Sequence, residues 1–188
     1  MTKTRWTLLV DREDTFTVGQ ALGHLLCTHT DWPRVIAATG DLGAGKTSLA
    51  QGIARGLGVP PEVYVNSPTF ALHQAHQGDV TFHHLDLYRL MDEDELTYLG
   101  FEELFEQGVS YVEWPQRAPH LFAATPHLKV ELFYIDEWTH LAQTELCSSG
   151  SSPLEEGRVL CISGPEHALM DLDDDPRWSH INTHLTSR

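Results

Sequence analysis

Apolar residues at 6–10 read as a first strand, and the pattern changes at Asp11-Arg12-Glu13-Asp14. Asp11 stands where a helix cap belongs and Asp14 can close the capping box. Val18, Leu22, Leu25 and Leu26 then recur at helical spacing, so a helix should run to about Thr28. Thr30-Asp31-Trp32-Pro33 is a loop into Val35-Ile36-Ala37-Ala38, a run apolar enough for a short buried strand. Leu49, Ile53, Ala54 and Leu57 mark one face of a second helix, ended by Gly56 and Gly58, before the break at Gly58-Val59-Pro60-Pro61. Residues 70–75 and 80–87 predict a hairpin turned at Gln77-Gly78-Asp79. Asp92 caps a short helix with Glu95 at its third position, and Gly100 and Gly108 bracket another helix containing Phe101, Leu104 and Phe105. Val109-Ser110-Tyr111-Val112 is a further strand. Alternation in Leu128, Val130, Leu132 and Tyr134 predicts one more, and residues 158–163 another.

Between the strand at Val35 and the helix at Leu49 lies Gly40-Asp41-Leu42-Gly43-Ala44-Gly45-Lys46-Thr47, which fills every defined position of G-x-x-x-x-G-K-[ST]. Glycines let the backbone turn so that consecutive N–H groups meet phosphate oxygens at a helix start. Asp41, Leu42, Gly43, Ala44 and Gly45, with Lys46, Thr47 and Ser48, are the expected nucleotide contacts. Lys46 would reach the β- and γ-phosphates. The Thr47 hydroxyl would ligate Mg²⁺, a hard cation that prefers oxygen, and Ser48 comes one residue too late for that. Strand, glycine loop and helix stand in the order that a nucleotide site requires.

Two acids follow apolar strands: Asp86 in His84-Leu85-Asp86-Leu87-Tyr88-Arg89, and Glu113 before Trp114-Pro115. Phosphate-loop enzymes need an acid at a strand end for the metal, and often a group that positions water. Either acid could serve either role. In Ser67-Pro68-Thr69-Phe70 the proline extends Ser67 and fixes Thr69, whose hydroxyl either senses a γ-phosphate or marks a strand entry.

The 188 residues suit one domain, residues 1–164, with a serine-rich loop at 145–157 and an acidic tail at 165–188 that reads as weakly ordered. A net charge of −15 and only three lysines, Lys3, Lys46 and Lys129, argue against direct binding to naked nucleic acid. Cys27, Cys147 and Cys161 have neither metal nor redox spacing, and neither a signal peptide nor a membrane span is visible, so a cytoplasmic location is expected. Adjacent His83 and His84 should face opposite ways on a strand, which disfavours a shared metal. The arginines that a small-molecule kinase would want in a lid are few, chiefly Arg89 and Arg117, and no Asn-Lys-x-Asp exists to read guanine.

Taken together, GDLGAGKTS, SPTF, HLDLYRL and VEWP, in this order and spacing, resemble the TsaE family, bacterial ATPases of threonylcarbamoyladenosine synthesis in tRNA. The resemblance covers about residues 11–132 and the Glu156-Gly157-Arg158 strand start, with Ser48 in place of a common threonine. It implies a single α/β P-loop nucleoside triphosphatase domain, its central sheet mainly parallel, with helices on both faces and the hairpin in the switch region. It implies ATP and Mg²⁺ as ligands, Lys46 on phosphate, and Thr47 and Glu113 at the metal. It further implies Thr69 in a switch, Asp86 positioning or activating water, Trp114 beside the nucleotide and Thr15 near its adenosine end. It also implies TsaD and TsaB type partners, reset by ATP hydrolysis, with tRNA met only through that complex. A small-molecule kinase and a non-hydrolysing nucleotide-dependent binding module stand as alternatives.

Overall fold

A computed structural model describes residues 1–9, 11–98, 100–136, 157–178 and 181. The strands β1 (Thr2–Leu9), β2 (Val35–Gly40), β3 (His73–His76), β4 (Phe82–Asp86), β5 (Val109–Glu113), β6 (His127–Tyr134) and β7 (Arg158–Pro165) form one sheet in the order β1-β7-β6-β2-β5-β4-β3. The four central strands, β6, β2, β5 and β4, are parallel. The ladders that add β7, β1 and β3 are antiparallel. Buried on both faces, β4 and β5 carry no exposed position, as a parallel centre requires, whereas β1 and β3 carry several.

Side chains along β2 alternate between two cores. Ile36 and Ala38 meet the helices α1 (Arg12–Thr28) and α2 (Lys46–Gly56), and α6 (Glu166–Asp174) joins the same core. Val35 and Ala37 meet the other face, where α3 (Asp94–Tyr98), α4 (Phe101–Leu104) and α5 (Pro119–Ala124) contribute Leu96, Phe101 and Phe122. Asp11 caps α1 as its sequence suggests, accepting from the Glu13 and Asp14 amides at 2.8 and 2.9 Å. Gly56 is the last residue of α2, and the left-handed residue past the helix is Gly58, at φ 82°.

Gly56 has a packing role as well. A Cβ there would lie 2.4 Å from the Gln20 carbonyl oxygen, one on Gly52 2.2 Å from that of Phe16, and ones on Gly19 and Gly23 2.5 and 2.3 Å from those of Leu49 and Ile53. Two pairs of glycines thus bring the α1 and α2 backbones into contact, which fixes the phosphate-loop helix against the helix that carries Thr15. Alanine improves helix propensity, but here it meets backbone that cannot move alone. Gly52→Ala is expected to cost about 2 kcal/mol and lower the thermal midpoint by roughly 4–8 °C. A scanning-calorimetry midpoint equal to that of the parent would contradict this close contact.

The hairpin is present but shorter than its apolar runs. The Pro68 carbonyl accepts from the Ala71 and Leu72 amides, and Leu72 turns at φ 62°, so β3 begins only at His73. At its other end Gly78 docks on the end of α2, with the Asp79 amide donating to the Leu57 carbonyl at 2.9 Å. The acidic segment after residue 164 requires a correction. Residues 165–178 are ordered on the core: Ala168, Leu169 and Leu172 of α6 are buried, as are Trp178 and Ile181. Its acids have distant partners, because Asp173 accepts from Arg5 Nε at 2.7 Å and Asp171 accepts from Trp32 Nε1 at 3.1 Å. Residues 145–156 of the serine-rich loop and 179–180 and 182–188 of the tail lie outside the described residues. Among the described residues no helix is long and apolar enough to cross a membrane.

Candidate functional site

Because β2, β4 and β5 are parallel, their C-terminal ends open on one edge of the sheet, where α/β folds place ligands. Gly40 ends β2, Asp86 ends β4 and Glu113 ends β5, and register pairs Asp86 with Glu113 and Glu113 with Ala38. The glycine loop then turns through left-handed φ angles of 81° at Gly43 and 108° at Gly45. Gly45 is the N-cap of α2 and supplies no side-chain acceptor to its first turn, an end suited to an anion.

Lys46, only 5% exposed, folds back over this loop, with Nζ donating to the carbonyls of Gly40 at 2.7 Å and Asp41 at 2.9 Å. Burial pulls its ammonium below the ordinary lysine value, and the carboxylates of Glu113, Asp86 and Asp41 partly restore it. The Trp114 ring lies 4.2 Å from Nζ, and Tyr88 packs on that ring at 5.1 Å. Trp114 is held at φ 63°, an uncommon state for a large side chain, with its amide donating to the Ala38 carbonyl at 3.2 Å. Thr47 Oγ1 donates to Glu113 Oε1 at 3.2 Å. A hydroxyl and two neighbouring carboxylates make an all-oxygen donor set, which fits a hard divalent cation.

The switch segment reaches the same place. Both the Thr69 hydroxyl, at 2.7 Å, and the Ser67 hydroxyl donate to Asp86 Oδ2, while the Tyr88 amide donates to Oδ1 at 3.0 Å. A cavity of about 350 Å³ is lined by Leu42, Lys46, Thr47, Thr69, Asp86 and Glu113 among others, and so brings together the phosphate, metal and switch candidates with Trp114. Gly43, Gly45 and Ser48 line this cavity and also a second one of about 750 Å³. Ala44 and Thr15 line only the second, together with Tyr134 and Arg158. Thr15 is therefore beside the loop but away from the acids, and its own hydroxyl bonds the Asp11 carbonyl at 3.2 Å. Asp41 contributes its backbone: its carbonyl also accepts from the Ala44 amide at 3.1 Å.

Sequence reasoning passed over several residues here. Ser67 was visible only as the residue before a proline, although its hydroxyl shares Asp86 with Thr69. His84 and Tyr111 lie two positions before Asp86 and Glu113, hence on the same sheet face; extending the period-2 reading back from the acids would have found them. Tyr111 donates to the Lys46 carbonyl at 2.9 Å, and burial pushes its phenol well above the ordinary value. His83 points the other way and pairs with His73 at 3.0 Å. Tyr134 and Arg158 are cross-strand partners, with the guanidinium 4.1 Å from the ring centre, and Tyr134 Oη donates to the Leu42 carbonyl at 3.0 Å. Nothing local in the sequence points to that pair.

Comparison with known proteins places the chain in a family. The model of the family described as Threonylcarbamoyl adenosine biosynthesis protein TsaE matches residues 9–141. A Nostoc protein named tRNA threonylcarbamoyladenosine biosynthesis protein TsaE is 36% identical over 72% of this chain and 82% of its own length. A Synechocystis protein of the same name is 46% identical over 46% of this chain, a match spanning 57% of that protein. The crystal structure of Bacillus subtilis YdiB superimposes with a TM-score of 0.62 at 22% identity, over 96% of this chain and 97% of that one, a likeness of fold.

Proposed function

The chain belongs to the TsaE family, and on that footing we propose that it binds ATP with Mg²⁺ and hydrolyses it in the cytoplasm in support of threonylcarbamoyladenosine formation in tRNA. The observation that carries this reading is the convergence of three parts at one edge of the sheet. These are the glycine loop with Lys46, the Thr47–Glu113 pair, and Asp86 tied to Thr69. Lys46 exchanges the Gly40 and Asp41 carbonyls for phosphate oxygens, a stronger charge-assisted contact. Thr47 and Glu113 hold Mg²⁺, which when bound draws charge from the phosphates. Asp86 orients the attacking water, and Trp114 covers the phosphates. The second cavity, with Thr15, Tyr134 and Arg158, takes the nucleoside.

The chain works with TsaD and TsaB type proteins, resetting their complex between turnovers, and meets tRNA through them. Negative charge dominates its surface, at −15, and gains little from displacing counterions on nucleic acid. Charge developing on the transferred phosphoryl group needs donors beyond Lys46, which a partner can supply directly or by ordering the Thr69 segment. Phosphate release should accordingly be slow for the chain alone, unchanged by tRNA, and raised at least about tenfold by the two partner proteins, since completing a transition-state contact is worth that much or more. Strong stimulation by tRNA alone would contradict the partner-mediated reading. Fast turnover by the isolated chain would favour an independent kinase with an unidentified acceptor.

A further inference from the structure

Beneath the phosphate loop, His84 is fully buried, and its Nε2 lies 2.9 Å from Glu113 Oε1, the oxygen that also accepts from Thr47. Neither contact engages Oε2. The imidazole is wedged by Tyr111, edge-on at 5.6 Å, and by Phe82 at 5.9 Å. Tyr111 in turn bonds the Lys46 carbonyl in the first turn of α2. His84 Nδ1 is buried with no hydrogen-bond partner. An orphaned N–H donor there costs more than an orphaned lone pair, so the proton belongs on Nε2, donating to the carboxylate.

We propose that His84 is a positioning residue for Glu113: by donating to Oε1 from a fixed ring, it sets the plane of the carboxylate and turns Oε2 toward the cation that accompanies the phosphates. A glutamate at a strand end has three free torsions, and freezing them before the ligand arrives removes part of the entropy that binding must otherwise overcome. The placement explains why a polar ring occupies a site otherwise lined by Phe82 and Tyr111, where an apolar residue would pack without leaving Nδ1 unmet. It rests on the reading of the site as one for a magnesium nucleotide.

The test uses the full chain and calorimetric titration with ADP, with Mg²⁺ and with EDTA, so that turnover does not enter. His84→Phe keeps a ring among Phe82 and Tyr111 but removes the donor, with His84→Leu as the substitute if phenylalanine is not accommodated. The Mg²⁺-dependent gain in ADP affinity is expected to shrink about tenfold, the effect of one lost hydrogen bond to a charged group. Affinity in EDTA should stay within about threefold, because the loop and Lys46 are untouched. His84→Gln, whose amide can place an N–H near the same point, should recover most of the gain. An undiminished gain in His84→Phe overturns the proposal, as does equal loss with and without the metal, or failure of glutamine to restore what phenylalanine removes. If the parent chain itself shows no Mg²⁺-dependent ADP binding, the nucleotide reading fails first and the two failures are told apart.

Discussion

Lys46→Ala is expected to lower ATP affinity at least about a hundredfold, because one buried ammonium meeting two phosphate groups contributes more than one charge-assisted hydrogen bond. Burial strengthens the expectation, since the side chain already sits where water is scarce and is held by the Gly40 and Asp41 carbonyls at the mouth of the loop. Those bonds also mean that alanine leaves two carbonyls seeking other partners, so the melting midpoint without nucleotide should fall slightly. Lys46→Arg is the informative control: it keeps the charge, but its planar fork does not fit a space shaped by Trp114 at 4.2 Å. Calorimetric titration of each variant with ATP and Mg²⁺ decides. Parent-like affinity in the alanine variant would remove the phosphate loop from the site.

What could be read from the sequence was what is local. The path from Val35 through the glycine loop to Leu57 needs only strand, turn and helix signals within a few residues of one another, and the structure has that order. Asp86 and Glu113 were legible as acids at strand ends, but that they lie side by side depends on a parallel register between strands more than twenty residues apart in the chain. The C-terminal segment misled for the same reason. Asp171 and Asp173 look like solvated charge until Trp32 and Arg5, far earlier in the chain, are placed beside them. Glycines were read only in part, because a helix-ending glycine and a helix-contact glycine are the same letter. Gly52 and Gly56 acquire their meaning only opposite Gly19 and Gly23. The wall of the second cavity made by Tyr134 and Arg158 is likewise a product of β6–β7 pairing.

Asp86→Asn should lower partner-stimulated hydrolysis by about 10²–10³-fold, the usual range for losing a positioned acid–base group, while leaving ATP affinity within a few fold. The structure makes the test sharper than the sequence could. As it stands, Asp86 is 3% exposed and accepts three hydrogen bonds, from Ser67, Thr69 and the Tyr88 amide. Oδ2, so engaged, must give up at least one hydroxyl before that oxygen can take a proton or orient water. The natural exchange is for Thr69 to turn to the γ-phosphate side, freeing Oδ2, while the Tyr88 amide keeps Oδ1 in place. On this account Asp86 has two successive duties, first as the latch of the switch segment and then as the group that faces water. Ser67→Ala separates them, since it removes a latch contact and leaves the carboxylate. It should alter turnover by less than about tenfold, because the carboxylate that loses this bond is also served by Thr69. Single-turnover phosphate release with the partner proteins present, alongside nucleotide titration, measures both. Should Ser67→Ala prove as damaging as Asp86→Asn, Asp86 acts only as a latch; should Asp86→Asn retain parent turnover, the water must be positioned by another group.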